Sequence, residues 1–115
     1  MTSLSNKVIY TSRFARDAKP FIKKYASFGK TLESLNSKLS AEPRLGEPYG
    51  NKIYKIRLAD ESKGKGKSGG FRVITYVIDE REDGTDIYLI TIFNKSEEAS
   101  IKKEDVKKLL KECGL

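Results

Sequence analysis

The chain has no histidine and no tryptophan, and it contains a single cysteine, Cys113, among its 115 residues. Without histidine, the usual zinc sites, Ser-His-Asp triads and histidine acid–base pairs are excluded. One thiol cannot build a disulfide framework or a thiolate metal cluster. We therefore expect no metal and no cofactor, and we expect any catalysis to use lysine, arginine, carboxylate or tyrosine side chains.

Long apolar runs are also lacking. The first ten residues contain no apolar stretch like that of a signal peptide, and no segment approaches the length of a membrane span. These features predict a cytoplasmic protein with no membrane association. A chain of 115 residues is close to the common size of one folding unit, so we expect a single domain over residues 1–115.

Positive charge is abundant. The 23 lysines and arginines exceed the 16 acidic residues by seven, and residues 52–72 alone contain seven basic residues against two acidic ones. In an extended strand Lys55 and Arg57 point to one face while Tyr54 and Ile56 point to the other. A face that gathers cations suits a polyphosphate backbone, although an acidic protein or an anionic membrane surface would also fit the overall charge. The alternative is that Lys55 and Arg57 lie on the solvent-exposed face of an edge strand and bind nothing.

Apolar periodicity predicts an α+β domain in the order βααβββα, with a largely antiparallel sheet. Gly29 is expected to separate the two N-terminal helices, with Ser12 as the cap of the first. An Asp83-Gly84 pair predicts a hairpin between the last two strands. The predicted strands span residues 7–10, 52–58, 71–78 and 86–93, the helices residues 13–27, 30–40 and 101–112, and the loop after the second helix residues 42–50.

Three strings, KIRLA, SKGKGKSGGFRVI and LITIFNKSE, resemble the RelE/HigB group of bacterial type II toxins in order and spacing, and the resemblance covers nearly the whole chain. It implies a small antiparallel sheet packed by an N-terminal helical hairpin and a C-terminal helix. It further implies cleavage of mRNA, commonly on the translating ribosome, and neutralisation by a cognate antitoxin protein. The oligomeric state of the free toxin stays open.

Site residues follow from the same resemblance. Lys55 and Arg57 match the two basic positions of the family's second strand, and Arg72 matches the arginine of its third. Lys95 matches a lysine at the end of the last strand. Two positions depart from the family: Ser96 stands where well-studied members have arginine, and a lysine falls near the place of a tyrosine that some members use.

These residues suggest how RNA is cut without histidine. Arg57 and Arg72 are expected to stabilise the phosphate, and Lys55 to act as a base or a second clamp, because crowding by like charges lowers the pKa of a lysine. The loop lysines Lys63, Lys65 and Lys67 are expected to grip RNA phosphates. A nucleotide-binding P-loop is excluded there, because Glu61 replaces its first glycine. The candidates for the general acid are Lys95, Glu97, Tyr76 and Tyr88.

Three functions compete. The first is a metal-independent endoribonuclease toxin that inhibits translation. The second is a non-enzymatic toxin of the related ParE group, which binds DNA gyrase, and the third is a basic RNA- or ribosome-binding module without catalysis. Aromatic residues in the strands are expected either to stack on bases or to fill the core; these are Tyr54, Tyr76 and Phe93.

Overall fold

The computed structural model describes residues 5–60 and 70–115, without the side chain of Glu80. In these residues one strand is followed by two helices, four consecutive strands and a C-terminal helix, an α+β arrangement. The strands are β1 (Lys7–Tyr10), β2 (Glu47–Gly50), β3 (Ile53–Leu58), β4 (Phe71–Arg81) and β5 (Gly84–Asn94). The helices are α1 (Ser12–Lys24), α2 (Phe28–Ala41) and α3 (Lys103–Glu112), and a 3₁₀ helix (Lys95–Ser100) precedes α3.

The strands form one five-stranded sheet in the order β1-β5-β4-β3-β2. β1 runs parallel to β5, and the other neighbouring pairs are antiparallel. The predicted fold class and its largely antiparallel sheet are therefore confirmed. The predicted hairpin between the last two strands is also present, with Arg81 paired to Gly84. A side chain at Gly84 would collide with the backbone oxygen of Ser5, which explains why glycine is needed at this position.

Three local predictions are wrong. The predicted loop 42–50 contains β2, an edge strand that tolerates Pro48 because an edge leaves one row of backbone N–H groups unpaired. The break between the first two helices lies at residues 25–27, and Gly29 is inside the first turn of α2. The cap of α1 is Thr11 rather than Ser12, since the Thr11 side chain accepts a hydrogen bond from the Phe14 N–H at 3.1 Å.

Both faces of the sheet are covered. α1 and α2 pack on one face through large buried side chains, including Phe14, Phe28, Leu35 and Leu39. α3 packs on the other face, where Val106 lies against Ile53, Ile74, Ile90 and Phe93. Every second residue of β3 points to the same face of the sheet. Lys55 and Arg57 therefore share the α3 face with Ile53, which belongs to the apolar cluster under α3. Within the described residues, no helix is long and apolar enough to cross a bilayer.

Candidate active site

Strand register brings the predicted phosphate ligands together. In the antiparallel pairing of β3 with β4, Arg57 lies directly opposite Arg72, and Lys55 lies opposite Ile74, two residues further along. Residues directly opposite each other, and residues two apart on one strand, share a face of the sheet. Lys55, Arg57 and Arg72 therefore converge on the α3 face, at the end of the sheet where β3 ends and β4 begins.

The three cations differ in exposure and in partners. Arg57 is exposed and forms no ion pair with any residue among 5–60 and 70–115. Arg72 is only 2% exposed. Its Nε lies 3.2 Å from Glu98 Oε1, and its Nη1 donates to the Phe71 carbonyl at 3.1 Å. Solvent therefore reaches Arg57, whereas Arg72 is enclosed by protein.

Glu98 joins Lys55 to Arg72. The Lys55 Nζ lies 2.8 Å from Glu98 Oε2, while the other carboxylate oxygen faces Arg72. The hydrogen bond from Lys55 lowers the pKa of Glu98; burial opposes this, and the charges of Lys55 and Arg72 lower it further. Sequence reasoning missed Glu98 because it identified the cations without predicting which carboxylate faces them.

The expected lowering of the Lys55 pKa is wrong. Burial, the largest single influence, does lower the pKa of Lys55, but the hydrogen bond and charge of Glu98 outweigh it, with contributions from Tyr49 and Glu47, so the pKa is raised. The prediction counted the like charges of Arg57 and Arg72 and omitted the carboxylates. In the free protein Lys55 is therefore held in its protonated form.

β2 completes the surroundings of Lys55. Glu47 pairs with Lys55 across the strands, and its Oε1 lies 3.6 Å from the Lys55 Nζ. The Tyr49 ring centroid is 4.5 Å from the same nitrogen, within cation–π range. The Tyr49 hydroxyl donates to the Ile101 carbonyl at 3.4 Å, which ties β2 to the segment before α3. Both residues lie in the stretch predicted as loop, so the pattern gave no signal that they approach the site.

The candidates for the general acid fall into two groups. Lys95 and Glu97 are exposed and lie on the 3₁₀ helix together with Glu98. The Lys95 N–H donates to the Gly70 carbonyl at 3.0 Å, which places the start of this helix beside the start of β4. Tyr76 and Tyr88 instead pair across β4 and β5 and pack in the apolar cluster under α3. Tyr76 is four residues from Arg72, about 13 Å along the strand.

The aromatic residues proposed for base stacking pack in or against the apolar clusters on the two faces of the sheet. Phe93 is 5% exposed within the α3 cluster, so the stacking alternative is wrong for it. Tyr54 packs against the α1–α2 cluster on the opposite face from Lys55 and Arg57. Tyr76 packs under α3, as described above.

The loop lysines Lys63, Lys65 and Lys67 lie outside the described residues. The residue before that segment, Asp60, is 3% exposed, and its carboxylate accepts hydrogen bonds from the Ser27 hydroxyl at 2.9 Å and the Thr31 hydroxyl at 2.5 Å. These bonds anchor the end of β3 to the N-terminal turn of α2, where a carboxylate also suits the helix dipole. Elsewhere in the described residues, no group of three or more acidic or cysteine side chains could hold a metal ion.

The fold has a known counterpart, although no protein-family model matches the sequence. The structure of the Escherichia coli toxin RelE, solved in the free state as a double arginine-to-alanine mutant, aligns with a TM-score of 0.59 and 21% sequence identity. The alignment covers 91% of this chain and 98% of that one. The chain therefore has the RelE fold over nearly its whole length.

Proposed function

We propose that this protein is the toxin of a type II toxin–antitoxin system and that it acts as a metal-independent endoribonuclease, cleaving mRNA on the ribosome. The observation that carries the proposal is the register of β3 and β4, which sets Arg57 opposite Arg72 with Lys55 on the same face. The RelE fold and the strings KIRLA, GGFR and KSE add to it. A surface that only binds protein has no need to gather three cations from two strands.

The chemistry requires three tasks. The 2′-hydroxyl must lose a proton as it attacks the adjacent phosphate, the phosphoryl oxygens must be stabilised, and the departing 5′-oxygen must gain a proton. Arg57 is exposed, and its planar guanidinium can hold two phosphoryl oxygens at once. Lys55 is held protonated, so its role in the free protein is that of a charged clamp rather than a base.

The two proton transfers are assigned to the 3₁₀ helix. The exposed Glu97 carboxylate can accept the proton of the 2′-hydroxyl, and the exposed Lys95 ammonium can donate one to the 5′-oxygen. Both residues lie in the helix whose first N–H is bonded to Gly70, two residues from Arg72. Tyr76 and Tyr88 are less suitable, because they pack under α3.

The test uses purified protein with the same mRNA, once naked and once under translation, followed by mapping of the new 5′ ends. Cleavage that requires ribosomes, and that persists in the presence of a metal chelator, is the expected result. Intact mRNA in both reactions would refute the nuclease. Scission of naked mRNA at the same rate would refute the ribosome as the place of action.

A second candidate is the non-enzymatic toxin that binds DNA gyrase. Two observations favour it. Arg72 is almost fully buried and paired with Glu98. Ser96 stands where well-studied members of the RelE/HigB group have arginine. Inhibition of gyrase supercoiling by the purified protein, with mRNA left intact, would establish this candidate. Binding to ribosomes without scission would instead leave a non-catalytic RNA-binding module.

The proposed partner is an antitoxin with an acidic segment that covers the cationic face. The net charge of +7 favours such a partner, since opposite charges speed association and the rate then falls as salt rises. A short reading frame beside the gene is expected to encode it. Complex formation should protect Lys55 and the loop lysines from amine modification and leave those of α3 reactive. Equal modification in the free and bound protein would rule out masking of this face.

A further inference from the structure

The Glu98 carboxylate occupies the space between two cations of the proposed site. One oxygen lies 2.8 Å from Lys55 Nζ and the other 3.2 Å from Arg72 Nε. We propose that Glu98 holds the place of an RNA phosphate, and that the phosphodiester replaces it when RNA binds. The identity of the ligand rests on the proposed function; the presence of an anion site filled by the protein's own carboxylate rests on these two ion pairs.

A phosphodiester matches what Glu98 provides. Both groups carry one negative charge and offer two oxygens to the same donors, so an exchange leaves neither Lys55 nor Arg72 unpaired. The phosphate would also reach a donor that Glu98 does not use. Arg57 lies opposite Arg72 and has no ion-pair partner among the described residues, so it is available as a third donor.

Glu98 lies on a segment that contributes no buried side chain to the core. Its 3₁₀ helix has six residues, no buried side chain and no side-chain bond at its N-terminal cap. Helices of this type have poorer hydrogen-bond geometry than α-helices. Glu98 itself is 30% exposed, so water reaches one side of the carboxylate.

Asp17 shows what a purely structural carboxylate looks like in the same protein. It projects from α1, a 13-residue helix packed on the sheet, and one of its oxygens accepts hydrogen bonds from Arg13 at 2.7 Å and from the Thr91 hydroxyl at 2.6 Å. Its release would break the bond to Thr91 of β5 as well as the bond within the helix. Glu98 has no comparable attachment to the core, because its described side-chain partners are the two cations of the site.

The test compares Glu98→Gln with Glu104→Gln, which removes the same charge from an exposed position on α3. The probe is a single-stranded RNA with 2′-O-methyl groups, which cannot be cleaved, titrated at one fixed salt concentration. If Glu98 competes with the phosphate, the Glu98→Gln variant should bind this RNA about tenfold more tightly than the Glu104→Gln variant does, which corresponds to about 1.4 kcal/mol. Equal or weaker binding by Glu98→Gln would overturn the proposal, as would absence of RNA binding in both variants.

A measurement on the unaltered protein guards against a folding defect in the variant. The Glu98 carboxyl carbon, followed by NMR during a pH titration, should show a pKa below the ordinary glutamate range without RNA and a higher one with saturating uncleavable RNA. An unchanged titration in the complex would mean that Glu98 stays between its cations, and the proposal would be wrong. Neither measurement depends on catalysis, so failure of the nuclease proposal would appear separately, in the mRNA cleavage reaction.

Discussion

Arg57 and Arg72 face each other across two strands, yet the structure predicts different consequences when each becomes alanine. Arg57 is exposed and without an ion-pair partner in the described residues, whereas Arg72 is 2% exposed and bonded to Glu98 and to the Phe71 carbonyl. Arg57→Ala therefore tests phosphate binding almost alone. Arg72→Ala tests phosphate binding and the integrity of the sheet together.

The expected loss in the free energy of unfolding differs between the two variants because the two arginines differ in burial. An exposed substitution away from special interactions changes the free energy of unfolding by less than about 0.5 kcal/mol. Removal of Arg72 takes away one partner of a partly buried ion pair and leaves the Phe71 carbonyl without that donor. Fully buried pairs lose about 3–5 kcal/mol in this way, and since Glu98 is 30% exposed we expect about 2–3 kcal/mol. At this chain length that corresponds to a fall in Tm of about 10 °C.

The assay measures thermal unfolding and mRNA cleavage for both variants. Loss of one preorganised donor to a developing phosphoryl charge lowers the rate by about 10²–10³. We expect that loss in Arg57→Ala with an unchanged Tm, and an equal or larger loss in Arg72→Ala with a lower Tm. Cleavage by Arg57→Ala at the rate of the unaltered protein would refute the assignment of Arg57 as a phosphate ligand.

Three further predictions concern the surroundings of the site. Neutralising Lys63, Lys65 and Lys67 should flatten the dependence of RNA affinity on salt, by roughly 0.7 in logarithmic slope for each lysine–phosphate pair removed; an unchanged slope would mean that they only solvate the loop. The matched control neutralises three exposed lysines of α3, Lys107, Lys108 and Lys111. The pKa of Glu98 is lowered and that of Lys55 is raised. The free energy of unfolding of the unaltered protein should therefore exceed that of Glu98→Gln by a constant amount between about pH 5 and 10. This difference should shrink as acid protonates Glu98 below about pH 4.3 and as base deprotonates Lys55 above about pH 10.4; a difference that persists at both extremes would contradict the pairing. Asp60→Ala should lower the free energy of unfolding by about 1–3 kcal/mol in denaturant titration, because two hydroxyl groups lose a buried acceptor; an unchanged free energy of unfolding would show that the anchor is dispensable.

The helices and the central strands could be predicted from the sequence because their apolar residues follow regular patterns. The helices have buried stripes at intervals of three and four, and the central strands β4 and β5 are apolar on both faces because helices cover both sides of the sheet. β2 escaped prediction because an edge strand rich in proline and glycine has the composition of a loop. It is stabilised by pairing with β3, a long-range interaction that no local pattern shows.

The sequence allowed the convergence of the three strand cations to be predicted, but not the position of the carboxylate that faces two of them. Alternation along β3 is enough to put Lys55 and Arg57 on one face, and the antiparallel register of β3 with β4 adds Arg72 to them. The position of Glu98 depends on how the 3₁₀ helix turns back after β5, which the run of polar residues in that segment does not specify. The error about the pKa of Lys55 followed from that gap, since Glu98, 2.8 Å from the Lys55 Nζ, outweighs the effect of burial and raises the pKa, with contributions from Tyr49 and Glu47.

The strand register also explains why three strings that are distant in the sequence lie at one place. Leu58 pairs with Phe71, and Phe71 pairs with Asn94, so the end of β3, the start of β4 and the end of β5 lie side by side. KIRLA, GGFR and NKSE meet there because antiparallel strands reverse direction at each connection. Gly70 keeps that end closed: a Cβ at this position would collide with the backbone oxygen of Leu58, so any side chain would separate β3 from β4 beside Arg72. The glycine preceding FR is therefore required by the close approach of two strands, and that approach is what brings Arg57 to Arg72.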